Sequence, residues 1–126
     1  MVCDSNILIY AAEPGDTLCL PYVERAEATI ASVTRIEVLG FPRFNLLTPE
    51  QQTRLQTLVL TTAELPLDDE IIQRAISLRQ QKAMKLGDAI IAATALEFGV
   101  PLVTRNEGDF KHLADLVVIN PFAAEA

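Results

Sequence analysis

The stretch Lys85-Leu86-Gly87-Asp88-Ala89-Ile90-Ile91-Ala92-Ala93-Thr94-Ala95-Leu96 places one carboxylate at the start of an almost wholly apolar segment. Apolar residues on nearly every side predict a buried helix, and its alanines would let neighbouring backbones come close. Asp88 would then lie near the first turn, where unpaired backbone amides and the helix dipole favour an anion. Two interpretations are open at this point: Asp88 starts the helix, or it belongs to a cluster of carboxylates.

The composition bounds the class of protein. A chain of 126 residues that is 50% hydrophobic and 21% charged is typical of one compact domain with a sizeable core. Only 6% of the residues are aromatic, so the core must consist of Leu, Ile, Val and Ala, which suits helices packed on a sheet. The net charge of −7 argues against a general basic surface for nucleic acids, although a bound cation can invert the field locally.

The cysteines and the N-terminus indicate the compartment. Cys3 and Cys19 lack the spacing of a disulfide framework or a zinc site, so free thiols in a reducing compartment are expected. The first basic residue is Arg25, which does not suit a secretory signal. No apolar run approaches the roughly 18 residues that a membrane span needs. We therefore expect a cytoplasmic protein without membrane association.

Short β-type runs alternate with helical patterns along the whole chain. This alternation predicts an α/β fold in which residues 1–126 form one domain, with a central five-stranded parallel sheet flanked by helices on both faces. Residues 120–126 are expected to be a loosely held tail. The predicted strands are 1–3, 28–33, 64–67, 101–104 and 116–119, and the predicted helices include 17–27, 35–41 and the segment from Asp88 to Gly99.

Four acids follow predicted strands or begin helices: Asp4, Glu37, Asp88 and Asp109. Because the carboxyl ends of parallel strands meet at one edge of the sheet, we expect these acids to converge there. Each also has a structural interpretation. Asp4 could cap a helix, Asp88 could be a first-turn anion and Asp109 a turn residue. Glu37 could close a capping box that starts at Thr34.

Carboxylates held close together repel one another, so such a cluster is tolerable mainly with a divalent cation. Oxygen ligands without His or Cys favour Mg²⁺ or Mn²⁺ over zinc. These ions can promote metal-assisted hydrolysis of a phosphodiester. Candidates to orient the acids or to bind a phosphate oxygen are Ser5, Asn6, Thr104 and Asn106. Candidates for phosphate contact, with a role elsewhere left open, are Arg35 and Arg105.

Four blocks in series carry a resemblance to a known family. In chain order they are Asp4–Tyr10, Thr34–Glu37, Gly87–Ala93 and Thr104–Phe110. Together they resemble the signature blocks of PIN-domain ribonucleases. The single-domain size and the Asn-Pro-Phe sequence at 120–122 are similar to VapC-type toxins of bacterial toxin-antitoxin modules.

The resemblance implies a Mg²⁺- or Mn²⁺-dependent endoribonuclease that acts on RNA. It implies that Asp4, Glu37, Asp88 and Asp109 are the catalytic, metal-binding acids, with support from Ser5, Thr104 and Asn106. It also implies a homodimer that is silenced by a cognate antitoxin whose tail runs over the site.

Alternative functions stay open at this stage. One is a catalytically inactive PIN-fold module that binds RNA or acts as a scaffold. Another is a haloacid-dehalogenase-type phosphatase, but Asp4-Ser5-Asn6 lacks the second aspartate of that family's D-x-D motif. Arg79, Lys82 and Lys85 are interpreted as cations at a helix C-terminus, with guidance of RNA as the alternative. The only histidine, His112, is interpreted as a surface residue.

Overall fold

The computed structural model describes residues 1–123 and contains one five-stranded sheet, with strand order β3-β2-β1-β4-β5. All neighbouring strands are parallel, which confirms the predicted sheet. Each strand is shorter than the range predicted for it from sequence. A strand extends only as far as its backbone pairs with a neighbouring strand, whereas the sequence pattern continues further. The strands are β1 (Val2–Cys3), β2 (Thr29–Ala31), β3 (Ala63–Leu65), β4 (Leu102–Val103) and β5 (Val118–Ile119).

Helices connect the strands, as the alternating pattern predicts. They are α1 (Ser5–Ala11), α2 (Leu20–Val23), α3 (Ser32–Leu39), α4 (Pro49–Thr61), α5 (Asp69–Gln81), α6 (Leu86–Phe98) and α7 (Glu107–Phe110), with a 3₁₀ turn at Phe44–Leu46. The helix predicted over 17–27 is reduced to α2, since the Asp16 carboxylate accepts the amides of Cys19 and Leu20 and fixes a late start. Within residues 1–123, no helix is long and apolar enough to cross a membrane.

The helices cover both faces of the sheet. Successive strand residues point to opposite faces, and accordingly Val2 belongs to one apolar cluster and Cys3 to the other. The first cluster contains buried residues of α5 and α6, and the second contains buried residues of α1, α3 and α4. A parallel sheet buried on both faces is the arrangement that the fold class predicts.

Helix α6 is the buried helix that its sequence predicts. Every residue from Ala89 to Ala95 is buried, and the helix packs on β1, β2 and β4 as well as on α5. It ends at Gly99, which has φ +65° in the left-handed region, and the amide of Val100 then donates to the Ala95 carbonyl at 3.1 Å. The buried helix therefore has a well-defined end at Gly99.

Helix α3 corrects one local prediction. It begins at Ser32, directly after β2, so Thr34 lies inside the helix and the predicted capping box of Thr34 and Glu37 does not form. The Thr34 hydroxyl is buried without a hydrogen-bond partner in the described part of the chain. A capping box does form at α4, between Thr48 and Gln51. At α3, the continuous path from strand to helix overrides the local signal and leaves Glu37 available for other contacts.

The strand order creates a crevice next to the central strand. The chain moves from β1 through β2 to β3, then returns to the other side of β1 to form β4. In parallel sheets, ligands bind beyond the carboxyl ends of the strands at such a reversal of direction. Asp4 follows β1 and Thr104 follows β4, so both residues lie at this point.

Part of the segment expected to be a loose tail makes defined contacts. The Asn120 side-chain amide donates to Glu107 at 3.2 Å, and the Phe122 ring packs edge-on against Tyr10 with centroids 5.2 Å apart. Residues 124–126 of that expected tail lie outside the described residues.

The end of α6 gives a first prediction. Gly99→Ala should lower the free energy of unfolding by roughly 1–2 kcal/mol, because a Cβ disfavours the left-handed conformation. The control is Gly108→Ala in α7, where φ is not positive and an added Cβ meets nothing within 4 Å. Urea unfolding of both variants should show a loss only for Gly99→Ala, and equal losses would contradict the assigned role of Gly99.

Candidate active site

A cavity of ≈230 Å³ lies at the reversal point of the sheet and brings the four predicted acids together. It is lined by Asp4, Ser5, Asn6, Glu37, Lys85, Asp88, Asn106 and Asp109. The acids come from the end of β1, from α3, from α6 and from α7, which are distant in sequence. The fold therefore assembles in one place the carboxylates that the sequence predicts at one edge.

Asp4 is the most deeply held of these acids. It is buried and caps α1, with Oδ1 accepting the Ser5 amide at 2.7 Å and Oδ2 accepting the Thr104 hydroxyl at 2.8 Å. The Thr104 hydroxyl oxygen in turn accepts a hydrogen bond from the backbone amide of Asn106 at 3.1 Å. Burial raises the pKa of Asp4 above its ordinary value, and the nearby charge of Glu37 adds to this effect. The helix-cap interpretation and the cluster interpretation are both true of this residue.

Glu37 reaches the cavity through a contact between helices. Its Oε1 accepts the Ser5 hydroxyl at 2.7 Å. Gly87 gives it space, because a Cβ at that position would lie 2.5 Å from Glu37 Oε2. This role of Gly87 is not evident from its sequence context alone. The feature that points to it is a glycine in the first turn of a helix, where glycine destabilises the helix relative to alanine and therefore indicates a steric requirement.

Asp88 lies in the first turn of α6 and is half-buried. Its pKa is raised to about 6, mainly by desolvation and then by the charges of Asp4 and Asp109, whereas Lys85 opposes the shift. The cavity therefore concentrates negative charge that the protein's own groups compensate only in part.

Asp109 and Asn106 come from a segment predicted as a polar loop, which contains the short helix α7. Phe110 is fully buried and anchors this helix to the core. Asp109 and Asn106 are themselves exposed. The outer rim of the cavity is thus formed by side chains with room to move.

The chemistry of the cavity fits a hard divalent cation. Its acids offer only oxygen donors, and the raised pKa values of Asp4 and Asp88 show that their negative charges are costly there. Within residues 1–123, however, no three His, Cys, Asp or Glu side chains already stand at ligand spacing. Both Asp4 oxygens accept hydrogen bonds, so the exposed Glu37 and Asp109 are the groups that would have to turn towards an ion.

The two arginines considered for phosphate contact lie outside this cavity. Arg35 forms an ion pair with Glu64 at 2.9 Å. Residues two apart on a helix point in nearly opposite directions, so Arg35 faces β3 whereas Glu37 faces the cavity. Arg105 donates to the Tyr10 hydroxyl at 3.0 Å and lies over the Phe122 ring at 4.3 Å. The cation that does line the cavity is Lys85. Its interpretation as a helix-end charge of α5 fails, since α5 ends at Gln81 and Lys85 is the N-cap of α6.

Comparisons with known proteins agree with this architecture. The family model described as "PIN domain" matches residues 1–116. A toxin-antitoxin complex from Klebsiella pneumoniae contains a chain that is 30% identical, with a TM-score of 0.77 and coverage of 95% of this chain and 96% of that one. No curated protein sequence matches significantly.

Two more distant structures share the fold. One is VapBC2 from Rickettsia felis bound to a promoter DNA fragment, at 18% identity and TM-score 0.77, covering 94% of this chain and 96% of that one. The other is FitAcB from Neisseria gonorrhoeae, at 22% identity and TM-score 0.76, covering 97% and 98%.

The charge on Asp88 gives a prediction about stability. Its folded-state pKa of about 6 lies above the ordinary 3.8, so the native state binds the proton more tightly and ionisation destabilises it. In chelator, Asp88→Asn should therefore raise Tm by a few degrees at pH 7.5, and this gain should shrink as the pH falls from about 6 towards about 4. Thermal unfolding across this range tests it, and a gain that is independent of pH would show that the Asp88 charge is not the cause.

Proposed function

This chain belongs to the PIN domain family, and from that membership we propose that it is a metal-dependent endoribonuclease and the toxin of a toxin-antitoxin pair. The observation that carries the proposal is the meeting of Asp4, Glu37, Asp88 and Asp109 around one cavity at the reversal point of the sheet. Apart from the capping of α1 by Asp4, bringing four acids from four separate elements together opposes folding, because the acids repel one another.

We assign Asp4, Glu37, Asp88 and Asp109 as the residues that hold Mg²⁺ or Mn²⁺. When bound, such an ion activates water and stabilises charge on a phosphodiester. Asp4 and Asp88 form the fixed part of the site, because a helix cap and a buried helix hold them. Glu37 and Asp109 form its adjustable part, because both are exposed.

Four polar residues surround the acids, and two of them hold the acids in place. Thr104 holds Asp4 through its hydroxyl, and Ser5 links Asp4 to Glu37 by donating its hydroxyl to the glutamate. Asn106 lines the cavity with a side chain that makes no helix-capping bond, so its amide is available to a phosphate oxygen. Asn6 lines the cavity and is exposed, which suits contact with substrate.

The proposed partners follow from the family and its solved relatives. The Klebsiella pneumoniae relative was solved as a toxin-antitoxin complex, and we propose a cognate protein antitoxin for this chain as well. RNA is the proposed substrate, and a homodimer is the proposed assembly. Sedimentation velocity of the purified chain alone measures the homodimer, and the same measurement with the antitoxin added measures the toxin-antitoxin complex.

Cleavage of RNA tests the proposed chemistry. With Mn²⁺ the wild-type chain should cleave a mixed RNA substrate, and excess chelator should stop the reaction. Changes to groups that merely orient metal ligands typically cost about 10–100-fold, so Asp88→Asn should reduce kcat/KM by more than that. Its circular dichroism spectrum should match the wild type. A wild-type chain that binds RNA without cutting it in Mn²⁺ would instead be a non-catalytic PIN module.

Gly87 offers a second test that changes no acid. Gly87→Ala should reduce cleavage at least about tenfold, because the new methyl group displaces the Glu37 carboxylate. Stability should not fall, since alanine favours a helix over glycine by roughly 0.5–1 kcal/mol.

A double variant separates the steric effect from other causes. In a Glu37→Asp background the shorter side chain clears the methyl group, so adding Gly87→Ala should cost less activity than it does in the wild type. Equal losses in the two backgrounds would show that Gly87 does not act through Glu37.

A further inference from the structure

A second cavity of ≈350 Å³ adjoins the carboxylate cavity. The two share Lys85, Asp88 and Asp109 as lining residues, so they are adjacent. The second one extends from the connection between α5 and α6 to α7. Its other lining residues are Lys82, Ala83, Met84, Gly108 and His112.

Two lysines line this cavity beside two of the acids, Asp88 and Asp109. Lys82 and Lys85 are two of the three lysines in the sequence. The ion pairs within residues 1–123 use Arg35 and Arg74, so neither lysine has a carboxylate partner there. Since the chain carries a net charge of −7, two unpaired ammonium groups beside the acids favour an anion at this place.

One residue that lines the cavity, His112, has polar atoms without a hydrogen-bond partner within the described residues. Both ring nitrogens of His112 are buried without a hydrogen-bond partner within the described residues. Such atoms are uncommon, because a buried polar atom without a hydrogen bond destabilises the folded state. Met84 is half-buried beside them and supplies a polarizable apolar surface. A flat ring with polar edges could form hydrogen bonds with the His112 nitrogens through its edge and pack against the Met84 side chain through its face.

We propose that this cavity binds the nucleotide next to the scissile phosphodiester of RNA. Lys82 and Lys85 contact its phosphate, and the base lies between Met84 and His112. This inference rests on the proposed nuclease function, because the shared residues Asp88 and Asp109 place the cavity one step from the proposed metal site. A volume of ≈350 Å³ falls within the range of small-molecule sites, roughly 300–1,000 Å³.

Binding measured without cleavage tests the proposal. The probe is a fluorescent ten-nucleotide RNA of random sequence in excess chelator, followed by anisotropy at several salt concentrations. The double variant Lys82→Ala/Lys85→Ala should raise Kd at least about tenfold at low salt. Loss of the one neutralised phosphate should also reduce the magnitude of the log Kd against log salt slope by about 0.7, since single strands contribute about 0.7 per neutralised phosphate.

The third lysine provides a matched control. Lys111 is the exposed residue that directly follows α7, and it does not line the cavity. Lys111→Ala removes one positive charge close by, and should change both Kd and the salt slope by less than half of the double variant's effect. Equal effects per charge would show that overall charge, rather than this cavity, governs binding.

Gly108 allows the cavity to be filled without a change of charge. A Cβ at this position meets nothing within 4 Å, so Gly108→Leu should project into open space and keep the wild-type Tm. It should weaken RNA binding about as much as the double variant does. Unchanged affinity in Gly108→Leu would overturn the proposal.

An abasic ribose-phosphate oligomer of the same length separates a nucleotide site from a phosphate site. It should bind the wild type more weakly than RNA does, and this difference should disappear in Gly108→Leu. Equal wild-type affinity for both probes would overturn recognition of a nucleotide. If the wild type cleaves RNA and the cavity variants bind RNA with the wild-type Kd, only this inference is refuted. Wild-type binding through the cavity without cleavage in Mn²⁺ would refute only the nuclease.

Discussion

Repulsion among the carboxylates at the end of β1 is the constraint that the rest of the structure has to meet. Burial and like charges raise the pKa of both Asp4 and Asp88, so these groups oppose folding unless they are held firmly. Asp4 is held by the Ser5 amide and the Thr104 hydroxyl. Asp88 is held by α6, whose buried segment is anchored against three strands. The rigid sheet and the apolar helix thus stabilise an arrangement of charges that would otherwise disperse.

The features that could be predicted from the sequence are those set by long-range hydrophobic pattern. The apolar residues of α6 indicate a buried helix whatever their neighbours are, and the alternation of elements indicates a parallel sheet. Once the strands are parallel, the acids that follow them must meet at one edge, and the structure places Asp4, Glu37, Asp88 and Asp109 there. The role of these acids in catalysis stays a proposal.

The features that could not be predicted depend on contacts between distant segments. The Thr34 and Glu37 spacing is a sound local signal, but β2 runs directly into α3 and leaves no place for a cap. Glu37 instead pairs with Ser5, which is 32 residues away in sequence. Arg35 is a candidate for phosphate contact because it lies beside Glu37 in sequence, whereas the structure pairs it with Glu64 on β3. Neither pairing has a signature in the residues that surround it.

The start of α6 places Asp88 both in the first turn of the helix and at the carboxylate cluster. Asp88 is in the first turn, but the N-cap is Lys85, which makes no side-chain capping bond. A lysine ammonium has no acceptor to offer, and helices leave their first amides unpaired, so the positive end of the helix dipole is not neutralised by its own cap. Gly87 adds the space that admits Glu37 to the same turn. Two features of one helix start therefore serve the carboxylate cluster: Gly87 leaves room for Glu37, and Asp88 is fixed by the buried helix that follows it.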